Sequence, residues 1–120
     1  MKNIGAKLGR IRDLIMIMFE KYKTACKKAL AGDPSEIEHL LADGFTVKNV
    51  VSGNSADREL CLKYFGVSAV EEAELIYEND DVLVLSCLEK GPSVNISSLD
   101  VFTISGGQFL SCITSMNHKQ

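Results

Sequence analysis

The sequence predicts an α+β fold in which helices come first and an antiparallel sheet follows. Up to about residue 65 the apolar residues recur mostly every three or four positions, interrupted by one short alternating stretch. From residue 72 onward they alternate, and two short turn sequences divide that half into hairpins. Helices segregated from a run of antiparallel strands define the α+β class.

The first helix is marked by Leu8, Ile11, Ile15, Met18, Tyr22, Ala25 or Cys26 and Ala29, and it should end near Ala31 with Gly32 as its left-handed cap. Gly5 and Gly9 weaken its first turns. Asp33 is placed to cap a second, short helix, with Pro34 at the first position and Glu36 reaching back. Ile37, Leu40 and Leu41 give that helix its buried face. From Phe45 the period becomes two: Phe45, Val47, Asn49 and Val51 share one side of a strand, and Thr46, Lys48 and Val50 the other. A third helix is expected to start at Asn54 or Ser55 and run to Gly66, with Leu60, Leu62 and Phe65 buried. Strands at Glu72 to Glu78 and Val82 to Glu89 flank Asn79-Asp80-Asp81; strands at Val94 to Ile104 and Gln108 to Met116 flank Ser105-Gly106-Gly107. Lys90 to Ser93 would link the two hairpins.

At 120 residues the chain has the size of one domain, and a domain of that length buries roughly two thirds of its unfolded surface. Its composition, 46% hydrophobic and 24% charged, is that of a globular protein rather than a disordered one. Net charge is −3, but residues 1–30 carry eight Lys and Arg against two acids, and residues 31–120 carry five against fourteen. A basic face on the first helix offsets an acidic body that would repel phosphates, so nucleic acid is not an expected partner. No stretch is long enough to cross a bilayer, and the apolar run from Leu14 to Phe19 is too short for a signal peptide. Cys26, Cys61, Cys87 and Cys112 lie 35, 26 and 25 residues apart, with no CxxC pair. They read as buried thiols of a reducing compartment rather than disulfide or zinc ligands, so a cytoplasmic protein is expected. The sequon Asn95-Ile96-Ser97 is a cheap match in that setting.

This order of elements, with AGDPSEIEHLLADGFTVKN, the SGNSADRE opening of the third helix and LDVFTISGGQF, resembles the nuclear transport factor 2-like superfamily and its SnoaL-like branch. The resemblance covers about residues 13 to 117 and implies one domain there. Residues 1 to 12 are then a basic arm or an extension of the first helix, and residues 118 to 120 a tail. It further implies a cystatin-like cone, in which a curved antiparallel sheet wraps around three N-terminal helices and encloses a pocket, and pairing of two copies through the outer sheet face. In ketosteroid isomerase-like members the segment matching Thr46-Val47-Lys48-Asn49 ends in a general-base aspartate. Asn49 stands there instead, and an amide cannot take a proton at neutral pH. The first-helix tyrosine of that family falls near Ala25, one turn after Tyr22. The family's second acid, which donates a hydrogen bond to the ligand oxygen, matches Asp100.

Asp100 also stands out on its own, because it shares strand parity with Val94, Ile96, Phe102 and Ile104 and should face the apolar side. A carboxylate there needs a partner or a proton, and burial favours the neutral acid. It is the candidate catalytic residue. Met18, Tyr22, Asn49, Phe65 and Phe102 are candidate pocket residues, although the apolar ones read equally as core and Asn49 could bond the neighbouring strand or Asp100. His39 and His118 have no ligand-spaced partners, and no phosphate loop, dinucleotide fingerprint or GxSxG elbow is present, so no metal or cofactor is expected.

Three functions fit these residues. The first is binding of a small apolar or aromatic molecule, with Asp100 and Asn49 as polar handles. The second is an isomerase, cyclase or dehydratase using Asp100, which leaves catalysis open. The third is a dimeric interaction module, since Leu99 and Val101 fall on the opposite, outer parity.

Overall fold

The computed structural model describes residues 18–65, 72–90 and 95–119. Helix α1 is described over 18–30. It ends in a Schellman motif: Gly32 takes φ +103°, its amide donates to the Ala29 carbonyl, and the Asp33 amide donates to that of Lys28. Glycine adopts this left-handed backbone without the Cβ penalty, as the sequence predicted for Gly32.

Helix α2, Ser35–Leu40, follows at once. Asp33 Oδ1 accepts from the Ser35 amide at 3.1 Å and the Ser35 hydroxyl at 2.7 Å. Glu36 does not reach back to complete a capping box. It pairs with Lys28 of α1 instead, fixing the two helices across the Gly32 turn. Arg58 Nη2 donates to the Glu38 carbonyl and Gln108 Nε2 to that of His39, so the far end of α2 is also tied down.

Strand β1, Leu41–Asn49, begins earlier than its alternation suggests. Leu41 pairs with Phe109, then five residues of β1 span only two of its partner before regular pairing resumes at Thr46. The strand stops at Asn49, and Val50 and Val51 are exposed in the turn that follows; Val51 therefore does not extend the buried face.

The third helix starts later than expected. Ser55–Asp57 form a short strand, β2, antiparallel to β1, and only then does α3, Arg58–Phe65, begin. Asp57 Oδ1 accepts from the Leu60 amide at 2.9 Å, the geometry of an N-cap. Beginning at Arg58 turns Leu60 to solvent at 55% exposure and buries Cys61, while Leu62 is half-buried.

The remaining strands are β3 Glu72–Glu78, β4 Val82–Lys90, β5 Asn95–Ser105 and β6 Gln108–Lys119. Asn79 Oδ1 accepts from the Asp81 and Val82 amides, both at 2.8 Å, which closes the first hairpin. Gly106 and Gly107, at φ +59° and +77°, close the second as a turn that only positive φ at both positions permits. Among the described residues all six strands form one sheet in the order β2-β1-β6-β5-β4-β3. The sheet is mixed rather than wholly antiparallel, because β1 runs parallel to β6.

One face of this sheet packs on α1. Met18, Phe19, Tyr22, Ala25, Cys26 and Ala29 of the helix meet Phe45, Leu83, Leu85, Phe102, Phe109 and Cys112 of the strands. All four cysteines are buried, and none is in a disulfide. No helix among the described residues is long and apolar enough to cross a membrane.

Candidate functional site

Strand pairing lines up the inner face in transverse rows. Asn49, Thr114, Asp100 and Leu85 form one row from β1 to β4, and Val47, Cys112, Phe102, Leu83 and Glu78 form the next, reaching β3. Asp100, Thr114 and Glu78 are the buried polar or charged residues of the described core.

Asp100 is 8% exposed and faces inward, as its strand parity predicts. Thr114 Oγ1 donates to its Oδ1 at 2.5 Å, and Ser98 Oγ donates to Oδ2 at 3.2 Å. Two hydroxyls thus solvate a carboxylate that the surrounding apolar side chains would otherwise penalise. With both hydroxyl protons given to Asp100, the hydroxyl and carboxylate lone pairs that remain present accepting atoms to the interior.

Tyr22 brings α1 against this cluster. Its ring lies 5.1 Å from Phe102 and 5.7 Å edge-on from Phe109, and those two rings lie 4.6 Å apart. Burial pushes the phenol well above its ordinary value, and the nearby Cys26, Cys87, Asp100 and Cys112 push it the same way. The hydroxyl therefore stays protonated and is a donor over the whole physiological range. Burial, with the Asp100 charge second, likewise pushes up the Cys112 thiol, which is not a nucleophile in that state.

The candidate residues do not all converge. Tyr22, Phe102 and Asp100 come together. Asn49 lies at the end of β1 with Thr114 between it and Asp100, and its Oδ1 accepts from the Val51 amide at 3.0 Å and the Met116 amide at 3.4 Å. Met18 lies toward the opposite sheet edge, its amide donating to Glu78. The Phe65 side chain falls outside the described residues. Thr114, Ser98, Phe109 and Glu78 are the inward residues that the sequence reading missed. Among the described residues no group of three or more His, Cys, Asp and Glu is placed to hold a metal ion.

No family model matches the chain, and no curated protein matches it. Solved structures do. A candidate ketosteroid isomerase from Kribbella flavida superposes with a TM-score of 0.67 at 9% identity, covering 88% of this chain and 79% of that one. A nuclear transport factor 2-like protein of unknown function from Burkholderia xenovorans gives 0.64 at 10% identity, over 83% and 82%. An epoxide hydrolase/cyclase-like enzyme of pyran-ring formation in the polyether salinomycin gives 0.61 at 19% identity, over 85% and 92%. Identities this low speak to architecture alone. The helices, the six-stranded mixed sheet and these superpositions agree that the chain has the α+β fold of the nuclear transport factor 2-like proteins.

Proposed function

We propose that this protein binds a small apolar or aromatic molecule against the inner face of its sheet, with Asp100 as the polar handle. The observation that carries the reading is a buried carboxylate held by Thr114 and Ser98 in an otherwise apolar interior, beside the protonated phenol of Tyr22. A ligand with one hydroxyl or carbonyl matches such a surface: its ring or chain replaces apolar contacts and its oxygen exchanges hydrogen bonds with Asp100 or Tyr22. Asn49 is a weaker handle, because its amide oxygen already serves two backbone amides.

The same cluster supports an isomerase, cyclase or dehydratase as the alternative. Two structural neighbours are described as a candidate ketosteroid isomerase and an epoxide hydrolase/cyclase-like enzyme. In that reading Asp100 must take up a proton to serve as the acid or hydrogen-bond donor, and Tyr22 supports the same ligand oxygen. Four buried thiols outside any disulfide favour a reducing compartment, hence the cytoplasm.

The test is a ligand screen by native mass spectrometry, followed by titration of each hit against Asp100→Asn. Hits weakened about tenfold or more by that change support the site; hits bound equally by both proteins, or none at millimolar ligand, reject it. Turnover of a hit that is lost in Asp100→Asn selects the enzyme.

Pairing of two copies through the outer face is a separate proposal, favoured by a specific row. Tyr77, Val84, Val101 and Ile113 stand in register across β3, β4, β5 and β6, ending at Lys48 of β1. An apolar stripe flanked by the smaller Ser86, Ser115, Thr103 and Ser111 is a surface suited to a second copy of itself.

A further inference from the structure

Glu78 is a buried acid, 8% exposed, on the edge strand of the sheet, and the Asp100 site makes no direct use of it. Its carboxylate reaches across to helix α1. Oε2 accepts from the Met18 amide at 3.3 Å, and Oε1 accepts from the Phe19 amide at 3.2 Å. Both oxygens are thus committed to two successive backbone donors of helix α1. Tyr22 lies one turn further along the same helix and Cys26 one turn beyond that, both buried against the inner sheet face. Glu78 also stands in the transverse row that runs through Leu83 to Phe102, whose ring meets Tyr22.

We propose that Glu78 is a positioning residue: by fastening α1 at Met18 and Phe19 to the β3 edge, it holds Tyr22 in place against Phe102 and Phe109, beside the Asp100 strand. The proposal rests on the reading of Asp100 and Tyr22 as a ligand site for its functional meaning, but its mechanical content stands apart from any ligand. Strand β3 carries an irregularity between Leu75 and Tyr77, so its end is offset from the regular ladder. Fixing that offset end to a helix turn is a job for a long, doubly accepting side chain. A glutamate that caps an amide pair has such reach, whereas a glutamine offers one oxygen and sets an N–H donor against the second amide.

The four buried thiols supply a local readout. Cys26 rides on α1, while Cys61 lies on α3, which packs on β1 and β2 at the other end of the sheet. Site-resolved labelling by a small thiol reagent, read by mass spectrometry, should show Cys26 modified about tenfold faster or more in Glu78→Gln, and faster again in Glu78→Ala, with Cys61 little changed. The Tyr22 ring protons, displaced by the Phe102 and Phe109 ring currents, should move toward random-coil shifts in the same order. Equal acceleration of Cys26 and Cys61, or unchanged Tyr22 shifts, would overturn the proposal. The unaltered protein gives a second check should the variants not fold: protection of the Met18 and Phe19 amides against hydrogen exchange matching that of the α1 core supports the fastening, and free exchange removes it. None of these readouts uses a ligand, so failure of the Asp100 screen and failure of the Glu78 fastening are told apart.

Discussion

Thr114 Oγ1 stands 2.5 Å from Asp100 Oδ1, side by side on β6 and β5, and with the Ser98 hydroxyl this bond helps a carboxylate sit 8% exposed among phenylalanines. Thr114→Val keeps the shape and removes the donor. Removing that donor from a buried carboxylate should destabilise the fold by about 1–3 kcal/mol. Urea unfolding at neutral pH measures it, and a change under about 0.5 kcal/mol would show that other donors fully solvate Asp100.

The sequence was enough to find Asp100 but not Thr114, and one residue explains the difference. A two-residue turn at Gly106-Gly107 pairs Ser105 with Gln108, and uninterrupted pairing from there would set Asp100 opposite Ile113. The ladder slips between Thr103 and Ile104, leaving Leu110 as the extra residue, and the slip carries Thr114 inward and Ile113 outward. Period-two reasoning holds only between such bulges. The same limit applies to Asp57, read as part of a helix because its capping and pairing roles share one short segment. Gly32, the glycine turn and the inward parity of Asp100, Phe102 and Ile104 were legible because each depends on local chemistry alone. Glu78 was not, since its partners lie 59 and 60 residues away.

Tyr22 and Phe102 separate core from site. Phe102→Ala should cost about 3–5 kcal/mol, because the ring contacts Tyr22, Phe45 and Phe109 at once. Tyr22→Phe keeps the ring packing and removes the hydroxyl, so its cost should stay below about 1.5 kcal/mol while any ligand contact to that hydroxyl is lost. Denaturant midpoints for both variants, beside the ligand titration, distinguish the two roles; a large loss of stability in Tyr22→Phe would make the hydroxyl structural.

Alkaline pH should unfold the protein, for a reason the core makes explicit. Burial raises the pKa values of Cys61, Cys112 and Tyr22 above their ordinary values in the folded state, making each a weaker acid. A raised value means the folded chain keeps protons that the unfolded chain gives up, so this stability is complete below the unfolded value and is lost as pH rises through the folded one. Unfolded thiols ionise near about 8.5 and tyrosine near about 10, which places the decline from about pH 8.5 upward. Each such group contributes a slope of about 1.4 kcal/mol per pH unit once its unfolded form is ionised. Cys112→Ala should remove one such increment between pH 9 and 11, as read by denaturant unfolding. An unchanged slope would mean that the Cys112 thiol already ionises in the folded protein.

Val101 tests the outer face. It is half-buried in the centre of the Tyr77, Val84, Val101, Ile113 row, with Leu99 exposed on the same face two residues away. If two copies pair there, Val101→Lys places a lysine in each copy of that stripe and buries the charges without a partner. The substituted position points away from the core formed by Phe102 and Asp100, so the fold should keep its stability within about 1 kcal/mol. Light scattering behind size-exclusion chromatography should then report a dimer for the unaltered chain and a monomer for Val101→Lys, each with the same circular dichroism. A dimer that survives Val101→Lys pairs elsewhere, and an unaltered chain that is already monomeric at micromolar concentration leaves the stripe to a different partner. The comparison is informative because the inner and outer faces alternate residue by residue along β5: Asp100 and Phe102 can be changed to probe the interior and Leu99 and Val101 to probe association, with neither set touching the other's surface.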